Sequence, residues 1–527
     1  MRIQDNSAWM FGVSILTGLL MSVPFLHYQM GWLVIISLVP FFFFVEQLNK
    51  NKTISKRSKI AYIWLTGWVF LLGVTFWLVQ TEPARWTGLM GWVSIGSLVL
   101  TYILFSGFLS LGFVFLGLGW VYLKINFTQK RIFLVLPALW LVCEFLRSWL
   151  FSAISLGPNT TLGPHWNFGD LGFAASVTPL VFISRFVGLY GLGFIVIVVN
   201  LCIFWLIQKR WKLPLLILSA IIITTLLGYV VYQKPSGSQV EVGALQLGKN
   251  EDLQIGSIPY HEALANIAPE KSLDVIVLPE YSEIFQETAR EKDKNNLTTI
   301  AMSNDTPVIT SVQSVSGSKN YNTVVVYKPN GEELYRHNKQ FLVPIGEAMP
   351  YAYTYLFKLI GQGKVIDGTA SAREVSKGDT PAEPFSVNNI KLGLQACSGA
   401  ISPELYRDLV RQGATLLTNS ASLSIFYSAP TYHQQAQQMA RFMAVANARP
   451  FAQATDGSYS FIIDSNGNWI VKSGRINLEL IRAKIQLNTH NTLYSVLGEW
   501  VILISIIIIS GQIVALTRKQ KHSALKK

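Results

Sequence analysis

Three segments of the chain end on side chains that suit acyl chemistry. Leu273–Leu278 is mostly apolar and runs into Pro279-Glu280. That holds a carboxylate at the end of a buried strand, where desolvation raises its pKa toward that of a usable general base. Beyond an Asn330-Gly331 turn, Tyr335-Arg336-His337-Asn338-Lys339 sets an ammonium just ahead of Leu342–Glu347 (LVPIGE). A lysine there can hold the charge of a tetrahedral intermediate and help lower the pKa of a thiol. The third segment, Lys391–Arg411, is apolar at Leu392, Leu394 and Ala396, breaks at Cys397-Ser398-Gly399, and resumes with Ser402, Pro403 and Glu404 in the N-cap, first and first-turn positions of a helix. A strand, a cysteine at the turn and a helix beyond make a nucleophile elbow, which exposes the sulfur beside backbone N–H groups able to hold an oxyanion. Each residue also has a plainer reading: Glu280 as a helix N-terminal carboxylate, Lys339 as a surface charge, Cys397 as a buried structural thiol.

The elements that must carry these residues fall into two textures. Of the 527 residues half are hydrophobic and only 14% charged, a membrane profile with a polar part attached. Apolar segments lie near 8–26, 30–48, 60–80, 91–123, 131–151, 182–207 and 213–232, each near or above the roughly 20 residues that span the hydrocarbon. An eighth lies at 497–516. No small-residue cleavage site follows the first, so it is read as a retained anchor. From Val240 the pattern changes to short strands, Val240–Leu247, Leu273–Leu278, Pro307–Val312, Thr323–Tyr327, Ile390–Ala396, Ala414–Thr418, Phe451–Thr455, Ser460–Ile463 and Trp469–Val471. Helical stretches at Tyr260–Ile267, Ile284–Asp293 and Tyr432–Ala448 are interspersed, with hairpin signals at Asn330-Gly331 and Asn466-Gly467. The expected divisions are 1–232 for a seven-helix bundle, 233–496 for an α/β domain, and 497–527 for an eighth helix with a basic tail.

The net charge of +13 excludes a nucleic-acid face by its distribution, because residues 233–497 are close to neutral. The excess sits at Asn49–Lys59, Lys124–Arg131, Gln208–Lys212 and Arg518–Lys527, between apolar runs and at the C-terminus. By the positive-inside rule these loops and both termini are cytoplasmic, and the polar domain lies outside. There a lone thiol meets oxidants, which favours retention of Cys397 for chemistry, while Cys143 and Cys202 lie in apolar segments. The loop Ser152–Thr178, rich in Gly, Pro, Asn and Trp, faces the outer side and either covers a site or simply connects two helices. Glu144 and Arg147, three apart in the fifth segment, either pair with each other or meet a lipid headgroup. The seven histidines show no metal-ligand spacing, and no nucleotide or redox cofactor fingerprint occurs.

The order PEYS, K-x-x-LVPIGE, then a strand-end Cys followed by SPELYRDLVRQGATLLTNSAS resembles the carbon–nitrogen hydrolase (nitrilase) superfamily. With seven apolar segments before it and one after, the whole chain resembles the apolipoprotein N-acyltransferases; PALWLVCEFLRS, the Ser428–Pro450 run and Asn322 belong to the likeness. The resemblance implies an α-β-β-α sandwich on an eight-helix bundle in the bacterial cytoplasmic (inner) membrane, acting as a monomer without cofactor or metal. It implies transfer of a phospholipid acyl chain, through a Cys thioester, to the α-amine of a diacylglyceryl-cysteine lipoprotein. Cys397 is implied as nucleophile, Glu280 as general base, Lys339 as electrostatic stabiliser, Glu347 as supporting residue and the Ser398 N–H as an oxyanion donor. The sequence departs from the family with Ser398-Gly399 in place of an aromatic and a Glu, and with Asn419-Ser420-Ala421-Ser422 in place of Asn-Asp-Trp-Phe. Ala446 stands for a Glu, Asp456-Gly457-Ser458 for Asn-Asn-Gly, and GKNED after Leu247 lacks a Trp. These departures keep two other readings open: a membrane-anchored amidase, and a lipid- or partner-binding homologue without catalysis.

Overall fold

The computed structural model describes residues 7–81, 91–232, 235–247, 273–280, 306–328, 330, 332–364, 366–368, 374–475 and 478–524. The expected helices Tyr260–Ile267 and Ile284–Asp293 and the GKNED loop lie outside them, as does most of the loop after Thr81.

Apolar length alone builds the first part of the chain. Its helices are α1 (Ser7–Ser22), α2 (Val39–Lys50), α3 (Lys56–Val74), α4 (Trp77–Gln80), α5 (Gly91–Leu109), α6 (Leu111–Tyr122), α7 (Ile132–Ile154), α8 (Leu171–Ala175), α9 (Ser184–Ile207) and α10 (Lys212–Val231). Among the described residues seven helices, counting α5–α6 as one and the last one at Trp500–Ala524, are long and apolar enough to cross a membrane. The second expected segment is the exception. It is a 3₁₀ turn at Tyr28–Ile35 followed by α2, bent by 41°. The cause lies far along the chain: Asn200 of α9 accepts from Leu38 N (3.0 Å) and donates to Val34 O (2.8 Å), satisfying backbone that the bend frees. Asn200→Leu is expected to strand both groups at about 1–3 kcal/mol each. It should therefore lower the melting temperature in detergent, and an unchanged melting temperature would refute this account of the bend.

The ends of the bundle differ. At one end Asn49 Nδ2 reaches Ile125 O (3.5 Å), Gln208 Nε2 reaches Glu46 Oε2 (3.2 Å) and Lys56 lies over the Tyr122 ring, so the basic loops gather together. At the other end the helix termini meet a long helix of the sheet domain, described next.

The strands are β1 (Gln239–Leu247), β2 (Val275–Glu280), β3 (Val308–Ser316), β4 (Lys319–Tyr327), β5 (Glu333–Asn338), β6 (Phe385–Val387), β7 (Ile390–Ala396), β8 (Leu416–Ser422), β9 (Phe451–Asp456), β10 (Phe461–Ile463), β11 (Trp469–Lys472) and β12 (Glu479–Gln486). β1, β2 and β3 are parallel neighbours, as are β7, β8 and β9; antiparallel strands flank each set. The two sets join where β1 pairs with β9 at Gln246–Thr455 and Leu247–Asp456. One apolar cluster draws Val242, Val275 and Ile309 from the first set and Leu392, Leu416 and Ala452 from the second, so the sets pack face to face. The helices α11 (Tyr351–Leu359), α12 (Pro403–Arg411) and α13 (Pro430–Asn447) follow in chain order, then α14 (Leu493–Leu497) and α15 (Trp500–Ala524). Every expected strand is present; β5, β6 and β12 are additional. β12 pairs with β1 and alternates buried Ile481, Ala483 and Ile485 with exposed neighbours, a period of two that its charged residues obscure.

α13 seats the sheet domain on the bundle. Its buried Gln435 donates to Val74 O (2.8 Å) and Gln438 to Pro24 O (2.9 Å), while Gln438 O accepts from Ser176 Oγ (2.8 Å). Glutamines can be buried here because exposed helix-end carbonyls need donors.

Candidate active site

Each of the three side chains singled out in the sequence stands at the carboxyl end of a strand, where a sheet leaves a crevice. Glu280 closes β2, Lys339 follows β5 and Cys397 follows β7. Cys397 has φ +45°, a left-handed conformation that costs roughly 1–3 kcal/mol for a side-chain-bearing residue. Cys397–Ile401 then forms a 3₁₀ turn, whose first N–H groups have no acceptor within the turn. Gly399 is required in it, because a Cβ there would lie 2.8 Å from Gln395 Cβ. Ser402 holds the N-cap position of α12 without a capping hydrogen bond from its side chain.

The structure brings Glu280, Lys339, Glu347 and Cys397 into one cluster. Lys339 is 3% exposed and reaches Glu280 Oε1 at 3.4 Å and the two Glu347 oxygens at 3.0 and 2.9 Å. Glu347 gets there because the LVPIGE turn folds back: its N–H donates to Val343 O (2.9 Å) and its Oε2 accepts from Val343 N (2.8 Å). Asn322 of β4 donates to Glu280 Oε1 (2.6 Å) and Glu347 Oε1 (2.7 Å). Ser422 N donates to Glu280 Oε2 at 3.2 Å. The Cys397 thiol donates to Ser422 O (3.7 Å), and the Glu280 carboxyl is near enough to act on it electrostatically. The Ser398 hydroxyl turns away and donates to Phe341 O (2.5 Å), tying the elbow to the segment after Lys339.

Two nearly buried carboxylates share one nearly buried ammonium. Burial raises the Glu280 carboxyl above its ordinary value, and Glu347 adds to that; Lys339 and the hydrogen bond from Asn322 oppose it. Burial would lower Lys339, but the two carboxylates outweigh it and the ammonium is held charged. The thiol goes up, by burial first and the Glu280 charge second. Lys339 does act downward on it, as the sequence suggests, but does not win. Burial thus favours the neutral form of the thiol and, less completely, of the carboxyl that faces it.

Above this cluster lies a cavity of about 910 Å³. Glu280, Glu347, Cys397, Ser398 and Ser422 line its polar end. The walls come from both parts of the chain, with Trp77, Phe105 and Phe151 from the bundle and Tyr353, Phe426 and Tyr432 from the sheet domain. The loop Ser152–Thr178 covers the site: its Trp166 and Phe168 line the cavity, Trp166 packs on Phe341 with centroids 4.5 Å apart, and His165 pairs with Glu404. Its Asp170 also corrects the expectation for Glu144 and Arg147. Arg147 pairs with Asp170, whereas Glu144 accepts from Trp140 Nε1 (3.1 Å) and Leu171 N (3.0 Å). Both are buried, so neither meets a lipid headgroup.

Sequence reasoning gave Asn322 no role and missed Ser422 and the aromatic walls. The signal for Asn322 is a polar residue opening the otherwise apolar run Val324–Val326. Ser422 reaches Glu280 through its backbone N–H, a contact that no residue type signals. Among the described residues no group of three or more His, Cys, Asp or Glu is placed to hold a metal.

Two family models match the chain. Residues 17–202 match the apolipoprotein N-acyltransferase N-terminal domain, and residues 241–493 match the carbon-nitrogen hydrolase family. The chain is similar to the apolipoprotein N-acyltransferase of Shewanella oneidensis, 25% identical over 403 residues that cover 71% of this chain and 72% of that protein. It is similar to that of Rickettsia prowazekii at 24% over 405 residues, covering 71% and 75%. The carbon-nitrogen hydrolase structure from Helicobacter pylori G27 aligns with a TM-score of 0.36 and 18% identity, over 47% of this chain and 89% of that one. The chain, a multi-pass membrane protein by its apolar helices, belongs to the apolipoprotein N-acyltransferase family of the carbon–nitrogen hydrolase (nitrilase) superfamily.

Proposed function

We propose that the protein moves an acyl chain from a phospholipid, through a thioester on Cys397, to the N-terminal α-amine of a diacylglyceryl-cysteine lipoprotein in the bacterial inner membrane. The observation that carries this reading is a thiol, a carboxylate and an ammonium at the polar end of an apolar cavity shared by the bundle and the sheet domain. A volume of that size suits a ligand of the small-molecule class, and its apolar walls suit acyl chains better than polar amides.

In the first step the Cys397 proton passes to Glu280 as sulfur attacks the ester carbonyl. The resulting oxyanion is held by the Lys339 ammonium and the Ser398 N–H. Collapse breaks the C–O bond, and the lysophospholipid leaves with the proton from Glu280. In the second step Glu280 takes a proton from the incoming α-ammonium and releases it to water, the amine attacks the thioester, and the C–S bond breaks as the second proton lost by nitrogen passes through Glu280 to sulfur, freeing the amide and restoring the thiol. Glu347 keeps Lys339 in place throughout. Apolar walls limit water, the competing nucleophile. The gathering of basic loops at the bundle end away from the sheet domain supports an extracytoplasmic catalytic domain, 233–496, between the seven-helix bundle 1–232 and the final helix and tail 497–527.

Intact-mass measurement of the purified full-length protein after incubation with phospholipid tests the reading. Wild type is expected to gain one fatty-acyl increment, discharged on adding a diacylglyceryl lipopeptide, and Cys397→Ser to gain none. A wild type that never acquires the increment, or loses it to water as fast with lipopeptide absent, overturns transfer.

A further inference from the structure

One residue, Ser422, touches both reacting groups through its backbone. Its N–H donates to Glu280 Oε2 (3.2 Å) and its carbonyl lies 3.7 Å from Cys397 Sγ. Ser422 ends β8, so the strand itself does not fix it beyond that point. What fixes it is Asp456, the last residue of β9 and its pairing partner in the sheet. Asp456 Oδ2 accepts from Ser422 Oγ (3.1 Å) and Oδ1 accepts from Leu423 N (2.8 Å). The same turn is pressed from behind: Gly457 has φ +65°, and a Cβ there would lie 2.8 Å from Ser424 Cα.

We infer that Asp456 is a positioning residue for the reacting pair: through Ser422 and Leu423 it anchors the end of β8, so that Glu280 is held by the Ser422 N–H in line with the Cys397 sulfur. The inference rests on the roles proposed above for Glu280 and Cys397. Asp456 does not reach the substrate or the sulfur; it acts through the strand end. Its charge matters as well as its shape. Among the described residues the charged group facing Asp456 is Glu280 from β2, while β8 presents Ser422 and the Leu423 N–H, and β1 presents Leu247. Burial pushes the Asp456 carboxyl up to about 6, with the Glu280 charge adding to that and the hydrogen bonds from Ser422 and Leu423 opposing it. Above pH about 6 it is therefore an anion that disfavours ionisation of Glu280.

The test is the rate at which Cys397 in the full-length, detergent-solubilised protein is alkylated by iodoacetamide as pH is varied, since that uncharged probe needs no lipid. Asp456→Ala is expected to slow alkylation about 10- to 100-fold at neutral pH, because a small misplacement of a base is costly. Asp456→Asn keeps an acceptor for Leu423 N–H and is expected to restore most of the rate. It should also move the acid limb of the profile to lower pH, since the anion facing Glu280 is gone. A merely structural role would not move that limb. Ser422→Ala, which removes only the hydroxyl link, is expected to slow alkylation by a smaller factor than Asp456→Ala. Wild-type rates in Asp456→Ala, or an acid limb in Asp456→Asn superimposable on wild type, would overturn the inference; if the alanine variant does not fold, the asparagine limb and the Ser422→Ala rate decide it. A wild type that alkylates with this pH dependence yet takes no acyl group from phospholipid overturns the proposed function and leaves the role of Asp456 standing.

Discussion

Glutamine in place of Glu280 is expected to slow acylation of Cys397 by phospholipid about 10²- to 10⁴-fold at neutral pH, the range a positioned general base supplies. The shape of the pH profile is the sharper readout. In the wild type the carboxyl of Glu280 is raised above its ordinary value, chiefly by burial. Below that raised pKa it carries a proton and cannot take another from Cys397, so the rate falls as pH falls, along a limb displaced upward from the usual carboxylate range. Glu280→Gln has no such limb. Its rate climbs only as the thiol ionises unaided, and because the Glu280 charge is one of the causes holding the thiol up, that ionisation comes at lower pH than it would beside the carboxylate. Single-turnover acylation followed by intact mass across pH distinguishes the two profiles. A glutamine variant that keeps the wild-type limb assigns the proton to another group.

The residues behind that prediction were legible because each closes an apolar strand with a polar side chain, and strand existence follows from short apolar runs. β2, β7 and the turn after β5 deliver Glu280, Cys397 and Lys339 to one point. Their convergence is not encoded locally. It comes from the join of β1 to β9, which swings the carboxyl ends of β2 and β8 together so that Ser422 can bond Glu280. The same limit explains the errors. A spacing of three put Glu144 and Arg147 on one helical face, yet the partner of Arg147 is Asp170, 23 residues on and from a loop with no periodic signal. The break between Tyr28–Ile35 and α2 is invisible to composition, since its apolar run is continuous; the compensating Asn200 is 162 residues from Leu38. β12 was missed for a different reason: Arg482, Lys484 and Gln486 alternate outward and disguise the apolar face.

Methionine in place of Lys339 is expected to damage both stability and chemistry, and a second substitution separates the two. The ammonium sits within 3.4 Å of Glu280 and 2.9 Å of Glu347, all three nearly buried. Lys339→Met keeps most of the side-chain volume but leaves two carboxylates facing each other without their shared cation, bridged by Asn322. Removing one partner of a buried ionic cluster costs about 3–5 kcal/mol, because the charge left behind stays out of water. The expected result is a clear drop in melting temperature in detergent, eased at low pH as one carboxylate takes up a proton. Adding Glu347→Gln removes the surplus charge, and the double variant is expected to recover most of the stability. Acylation should not recover with it. The oxyanion would still lack its cation, and losing one donor of that kind costs about 10²- to 10³-fold. A double variant that melts like wild type and acylates at the wild-type rate would confine Lys339 to holding the fold. One that melts like wild type but stays slow assigns the ammonium to the transition state.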